Sequence, residues 1–264
     1  MRIARIASGD SISYGVVSDD AGLAADGTWT GTIALVDGVP FGGSVSATGV
    51  VKRLADVRLL APVMPSKVIG IGKNYADHAA EMKGEVPAEP LMFLKPSSSI
   101  VGPGDAIRLP SISRIVHHEA ELAVVISRMC RDVAAEDALS VVLGYTCAND
   151  VSARDLQKSD GQWTSAKGFD TFCPLGPWIE TDLDPADTTV RCCVNDTVTQ
   201  DGNSGDLVFD VPTLIAAVSA VMTLIPGDVI LTGTPAGVGP IADGDTVYVE
   251  CGGIGILRNP VTAR

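Results

Sequence analysis

Positive charge is in short supply in this chain. Nineteen lysines and arginines face 32 aspartates and glutamates, for a net charge of −13. Such a surface repels nucleic-acid phosphates and anionic membranes, so neither is expected as a partner. None of the six cysteines (Cys130, Cys147, Cys173, Cys192, Cys193 and Cys251) belongs to a Cys-x-x-Cys pair or has zinc-like spacing to a histidine. Reduced thiols packed as small hydrophobes are expected, with the adjacent Cys192 and Cys193 on opposite faces of a strand. Long apolar runs are missing too. The longest, Pro212 to Pro226, is interrupted by Thr213, Ser219 and Thr223, too short for a bilayer, and reads as a buried helix. The opening MRIARIASGD has no signal-peptide core, so a cytoplasmic location is expected. No internal repeat is evident.

What the chain does have is apolar material and punctuation. Hydrophobic residues make up 46% of its 264 positions, while 28 glycines and 16 prolines cut it into short segments. That pattern predicts a strand-rich fold with many turns. Strands are expected at Arg2–Ala7, Ile12–Val17 and Thr32–Val36, then a proline-marked connector over Leu60–Pro65. Beyond it, apolar runs predict strands at Val68–Ile71, Leu91–Leu94, Ala120–Ser127, Val142–Ala148, Val229–Thr232 and Thr246–Cys251. Helical spacing covers Asn74–Met82, residues 134–142 and Asp150–Lys158. The organisation expected is a small N-terminal β-rich domain over 1–62 and a larger β-rich domain with a few helices over 63–264.

Three clusters carry chemistry. In His117-His118-Glu119-Ala120-Glu121, strand alternation puts Glu119 and Glu121 on one face. The apolar run that follows implies burial, where two adjacent carboxylates need a cation. A solvent-facing pair at a strand edge fits the spacing equally well. In Asn149-Asp150-Val-Ser152-Ala-Arg154-Asp155-Leu-Gln157, helical spacing from Asp150 aligns Arg154 and Gln157 on its face. That face suits a metal and an anionic substrate, although Asp150 as a helix cap, or a Ser152–Asp155 capping box, explains the same letters. In Gly72-Lys73-Asn74-Tyr75-Ala-Asp77-His78-Ala-Ala-Glu81, Glu81 lies one helical turn from His78 and suits it to be a base, or forms an exposed pair of small value. Lys167, in Lys167-Gly-Phe-Asp-Thr-Phe-Cys-Pro-Leu-Gly-Pro177, sits in a turn-rich segment. Gly227 to Gly239 is glycine-rich around Thr234 but is no P-loop, because no Gly-Lys-Ser/Thr follows. Phosphoryl transfer is disfavoured accordingly.

Together these segments resemble the fumarylacetoacetate hydrolase family over roughly residues 60–264. The family's G-x-N-Y-x-x-H-x-x-E is met by Gly72, Asn74, Tyr75, His78 and Glu81. Its E-x-E is met by Glu119 and Glu121, its N-D-V-S-A-R-D-x-Q by residues 149–157, and its K-x-x-D-x-F-x-P-x-G-P by Lys167 through Pro177. Pro226 through Gly239 meets P-G-D-x-I-x-T-G-T-P-x-G-V-G. Asp196 and Gly205 depart from the usual turn residues, outside these motifs. The N-terminal segment resembles the extension of bacterial isomerases of the homoprotocatechuate pathway.

The resemblance implies an α+β, β-rich mixed β-roll and a homodimer. It implies Mg²⁺ or Mn²⁺, or Ca²⁺, held by Glu119, Glu121 and Asp150, a hard-oxygen set that suits hard cations. It implies a lid bearing His78 and Glu81, a lysine at Lys167 assisting the reacting carbonyl, and Arg154, Gln157 and Thr234 lining the substrate site. The activity expected is hydrolysis of a C–C bond in a small 2,4-dioxo acid through a metal-bound enolate, with His78 and Glu81 activating water. Oxaloacetate decarboxylation and isomerisation of a 2-hydroxyhepta-2,4-diene-1,7-dioate are the alternatives on the same residues. A non-catalytic binder of metal or oxo-acid is the alternative from another class.

Overall fold

A computed structural model of the chain describes residues 1–41 and 43–263. Among these, a 12-stranded sheet runs through the molecule and a five-stranded sheet packs against it. The expected β-rich architecture is met. The centre of the large sheet is Ala120–Ile126, buried at every position, as its nearly unbroken apolar sequence requires. Val142–Asn149 lies antiparallel to it on one side and Val229–Leu231 antiparallel on the other. Val68–Gly72 then joins Val229–Leu231 in parallel, and Leu91–Lys95 forms the edge beyond.

On the opposite flank, Cys173–Glu180 pairs with Val142–Asn149 and also with Arg2–Ser8, through Arg2↔Glu180 and Ile3↔Ile179. The N-terminal strands Arg2–Ser8, Ser11–Val17, Thr32–Asp37 and Ser46–Arg53 therefore continue the same sheet. The five-stranded sheet contributes Val247, Val249, Cys251 and Leu257 to a core shared with Leu122, Tyr145 and Trp178. The helix expected over Pro212–Pro226 forms as Val211–Val221 and stops short of Leu224, which bridges to Cys130; Asp210 opens it, its carboxylate accepting from the Thr213 amide at 2.9 Å. Cys192 is buried and Cys193 half-buried, as alternation requires.

Three helical expectations need correction. The first helix spans only Ala76–Glu81, because Asn74 and Tyr75 are tied to the 207–209 segment. Ala135–Val141 is a 3₁₀ helix. The helix expected from Asp150 begins at Arg154 and ends at Ser159; Ser152–Ala153 instead pairs with Val116–His117.

Candidate active site

Glu119 and Glu121 flank Ala120 at the start of the central strand, and alternation turns both side chains the same way. Asp150 follows the last residue of the neighbouring strand. The pairing Ala120↔Asn149 brings it alongside, and its amide donates to the Glu119 carbonyl at 2.8 Å. All three carboxylates are buried, and one oxygen of each lies within 4.8 Å of the others. Burial removes the solvent-facing reading of the pair. Asp150 caps nothing, since Ala153 precedes the helix without a side-chain cap, and the Ser152 hydroxyl donates to the Asp150 carbonyl.

Three cations answer these anions. Lys167, at the end of the short helix Thr164–Lys167, donates to Glu119 Oε2 at 2.6 Å and Asp150 Oδ2 at 2.5 Å. Arg154 pairs with Glu119 through Nη2 and donates to Gln157 Oε1 at 2.8 Å through Nη1. Lys95 had no sequence signal beyond ending an apolar run. Its Nζ, fully buried, donates to Asp150 Oδ1 at 2.5 Å and to the Lys167 carbonyl at 2.6 Å. Burial works to raise the Glu119 pKa, but Arg154 and Lys167 overcome it and hold the carboxyl well below its usual range. Burial likewise disfavours charge on Lys167, yet Asp150 and Glu119 keep its pKa above the ordinary value.

Glu121 differs. Its Oε2 accepts from the Gly233 amide at 2.6 Å, and among the described residues no cation pairs with it. Gly233 has φ +104°, and an added Cβ there would lie 2.8 Å from that of Asn74, so only glycine presents this amide. Burial, then Asp150 and Glu119, push the Glu121 pKa well above the carboxylate range. A carboxylate without a cation, in an all-oxygen cluster of three, fits a divalent ion of the Mg²⁺, Mn²⁺ or Ca²⁺ type.

His78 lines the same cavity as this floor. Its Nδ1 lies 3.1 Å from Glu81 Oε2, and the Glu81 carboxylate also accepts from the Gly237 amide at 3.1 Å. Asn74 anchors the segment, donating to the Thr232 and Phe209 carbonyls at 2.8 and 3.0 Å. The enclosed space is about 220 Å³ and includes all nine residues singled out in the sequence except Glu81, which stands behind His78. Ile71, Met82, Phe93 and Trp163 form apolar walls that sequence reasoning missed. Phe93 and Trp163 meet edge to face at 5.4 Å, and Lys167 Nζ lies 5.0 Å from the Phe93 ring centre.

Thr234 also lines the cavity, held by a chain of fixed polarity. Gln200 Oε1 accepts from the Ala120 amide at 2.9 Å, and its Nε2 donates to Thr234 Oγ1 and the Pro235 carbonyl at 2.7 Å each. The Thr234 hydroxyl donates in turn to the Ala120 carbonyl at 2.8 Å. With Gln200 Oε1 committed as an acceptor, His118 Nδ1, 3.0 Å away, must be the donor. Burial keeps the His118 pKa below its usual range, so its ring is a neutral positioning element.

This geometry agrees with comparison to known proteins. The family model "Fumarylacetoacetate (FAA) hydrolase C-terminal" matches residues 67–262. The chain belongs to the fumarylacetoacetate hydrolase family. A second model, "Rv2993c-like, N-terminal", matches residues 1–62. The chain is 52% identical to the crystal structure of 5-carboxymethyl-2-hydroxymuconate delta-isomerase from Mycobacterium smegmatis, covering 100% of both, with a TM-score of 0.91. It is 47% identical over 220 residues to oxaloacetate tautomerase fahd2, mitochondrial, of Xenopus laevis, covering 78% of this chain and 69% of that protein. Maleylpyruvate hydrolase from Sphingobium sp. SYK-6, solved with manganese(II) and pyruvate, is 36% identical, covering 100% and 99%, with a TM-score of 0.79. The protein is thus an enzyme of a family whose named members include isomerases, tautomerases and hydrolases. No helix among the described residues is long and apolar enough to cross a membrane.

Proposed function

We propose that this enzyme moves the C3 proton of a small 2-oxo acid, interconverting its keto and enol forms. The observation that carries this reading is one cavity of about 220 Å³ lined both by His78, which is paired with Glu81, and by a buried floor of carboxylates and cations. A space of that size suits a short acid, being smaller than the usual range of drug-sized pockets. Glu81 accepts from Nδ1–H, which leaves the lone pair of His78 on Nε2, the nitrogen available as base. His78 Nε2 takes the proton from C3, and the electron pair moves into the C2 carbonyl as an enolate. Lys167 has one ammonium proton beyond those given to Glu119 and Asp150, and this proton serves the developing oxyanion. A proton from solvent then converts the oxyanion to the enol while His78 releases its own to solvent, and the reverse path returns the ketone. A divalent ion held by Glu119, Glu121 and Asp150 would supply Lewis-acid stabilisation of the same oxygen.

Names among the relatives favour this order, with isomerase at 52% and tautomerase at 47% identity against hydrolases at 39% and 36%. Hydrolysis of a C–C bond in a 2,4-dioxo acid is the second reading, in which His78 Nε2 takes a proton from water instead. It is favoured by the maleylpyruvate hydrolase and its pyruvate complex. Decarboxylation of oxaloacetate uses the same floor without needing the base. A panel of oxaloacetate, acylpyruvates and hydroxy-diene-dioates with Mg²⁺ or Mn²⁺ tests the assignment. Enol-to-keto conversion faster than acylpyruvate cleavage supports proton transfer as the main activity. Cleavage without catalysed tautomerisation overturns it.

A further inference from the structure

The floor of the cavity leaves a question about the far end of the substrate. Lys95, Lys167 and Arg154 there are each already paired with Glu119 or Asp150. The donors that Lys167 and Arg154 have left, one ammonium proton and the buried Arg154 Nε–H, stay with the 2-oxo acid end at the floor. Two other cations line the same cavity. Lys73 is half-buried beside Gly72, and Lys158 is exposed on the last turn of Arg154–Ser159. Neither makes an ion pair or hydrogen bond among the described residues. Two unpaired ammonium groups at one cavity are notable in a chain of net charge −13.

Lys73 is also held in place at a cost. Its φ is +56°, a left-handed backbone rarely adopted by residues other than glycine, asparagine or aspartate. Asn74, pinned through its amide to Phe209 and Thr232, fixes the chain just after it. The side chain passes over Gly84, where an added Cβ would lie 2.5 Å from Lys73 Nζ and 3.1 Å from Cε. The ammonium therefore rests against the turn after the His78 helix, at the wall of the cavity.

Resting on the reading of the floor as a 2-oxo-acid site, we infer that Lys73 and Lys158 together seat the far carboxylate of a dicarboxylate substrate. The 2-oxo acid end lies at the floor, and the second carboxylate lies between the two ammonium groups. The preferred substrates are then short 2-oxo dicarboxylates, not acids ending in an alkyl chain. The apolar walls of Ile71, Met82, Phe93 and Trp163 cover the carbons between the two ends.

Binding separates this inference from the catalytic reading. The probes are 2-oxoglutarate and 2-oxopentanoate, which differ in a terminal carboxylate against a methyl group. Their Kd values are measured by calorimetry with Mg²⁺ on the whole chain. The wild type should bind the dicarboxylate about ten- to hundredfold more tightly, the effect of a charge-assisted contact. Lys73→Met/Lys158→Met should remove most of that ratio, and Lys73→Arg/Lys158→Arg should keep it. Lys52→Met, which removes a positive charge from the N-terminal sheet, should leave the ratio unchanged. Lys158→Glu changes only an exposed side chain and should lower the ratio even if the double variant folds poorly. An unchanged ratio in Lys158→Glu together with the double variant overturns the seat. A wild type that discriminates as expected but catalyses no proton transfer keeps the seat and removes the proposed activity.

Discussion

Lys95→Met tests the electrostatic design of the floor without touching the catalytic histidine. The methionine stem fills much of the same space, so the main change is loss of the ammonium from Asp150 Oδ1, 2.5 Å away. Both partners are about 1% exposed, and water cannot replace the lost group. Breaking a buried ion pair on one side typically costs about 3–5 kcal/mol. In a protein of this size each kcal/mol moves Tm by about 2–4 °C, so the metal-free variant should melt roughly 6–20 °C lower. A divalent ion between Glu119, Glu121 and Asp150 supplies the charge that the variant lacks. With saturating Mg²⁺ the loss should therefore shrink to about half or less, the remainder reflecting the abandoned Lys167 carbonyl. The variant should also bind Mg²⁺ more tightly than wild type. Calorimetric melting with EDTA and with Mg²⁺ measures both effects. An equal loss of Tm in the two conditions would mean that Asp150 does not face the ion, and the metal centre would have to be reassigned.

Mg²⁺ binding should release a proton, because Glu121 is held protonated past the usual carboxylate range when no cation is present. The sign follows: apparent affinity rises with pH, and the metal-free fold loses stability as pH climbs past the ordinary glutamate value. Calorimetry in buffers of different ionisation enthalpy reads the proton, and heats independent of buffer would contradict it. Gly70→Ala should damage the cavity wall, since an added Cβ falls within the Phe93 ring, which packs on Trp163. A raised KM and a lowered Tm are expected; unchanged kinetics would mean that the ring has no part in binding. Gln200→Leu should cost about 1–3 kcal/mol for each buried partner left unpaired, at Ala120, Pro235 and His118. Urea unfolding measures this loss, and full stability would refute the fixed chain.

Much of the floor was legible because strand periodicity is local. Glu119 and Glu121 face one way by alternation, and the apolar run after them announced their burial. His78 and Glu81 were legible through helical spacing, and the helix formed at those two residues. Asp150 was singled out with them but placed wrongly on a helix. The letters from Asp150 to Lys158 carry helical spacing, yet Ser152–Ala153 is captured by Val116–His117, and the helix waits until Arg154. That competition is tertiary, so no window of sequence contains it. Lys95 was missed for the same reason: its partners lie 55 and 72 residues away. Gln200, 80 residues from the Ala120 amide that it accepts from, was equally out of reach. The continuation of the N-terminal strands into the large sheet depends on Arg2 and Ile3 finding Glu180 and Ile179, a pairing that composition does not encode.

The most direct test of the account is exchange of the C3 protons of a 2-oxo acid with deuterated water, followed by proton NMR in the presence of Mg²⁺. Wild-type enzyme should accelerate exchange on oxaloacetate well above the metal alone. His78→Gln keeps a polar side chain but removes the base, and should lower the enzymatic exchange rate about 10²–10⁴-fold. Exchange in His78→Gln equal to wild type would contradict proton transfer by His78 and leave the floor alone responsible for enolisation.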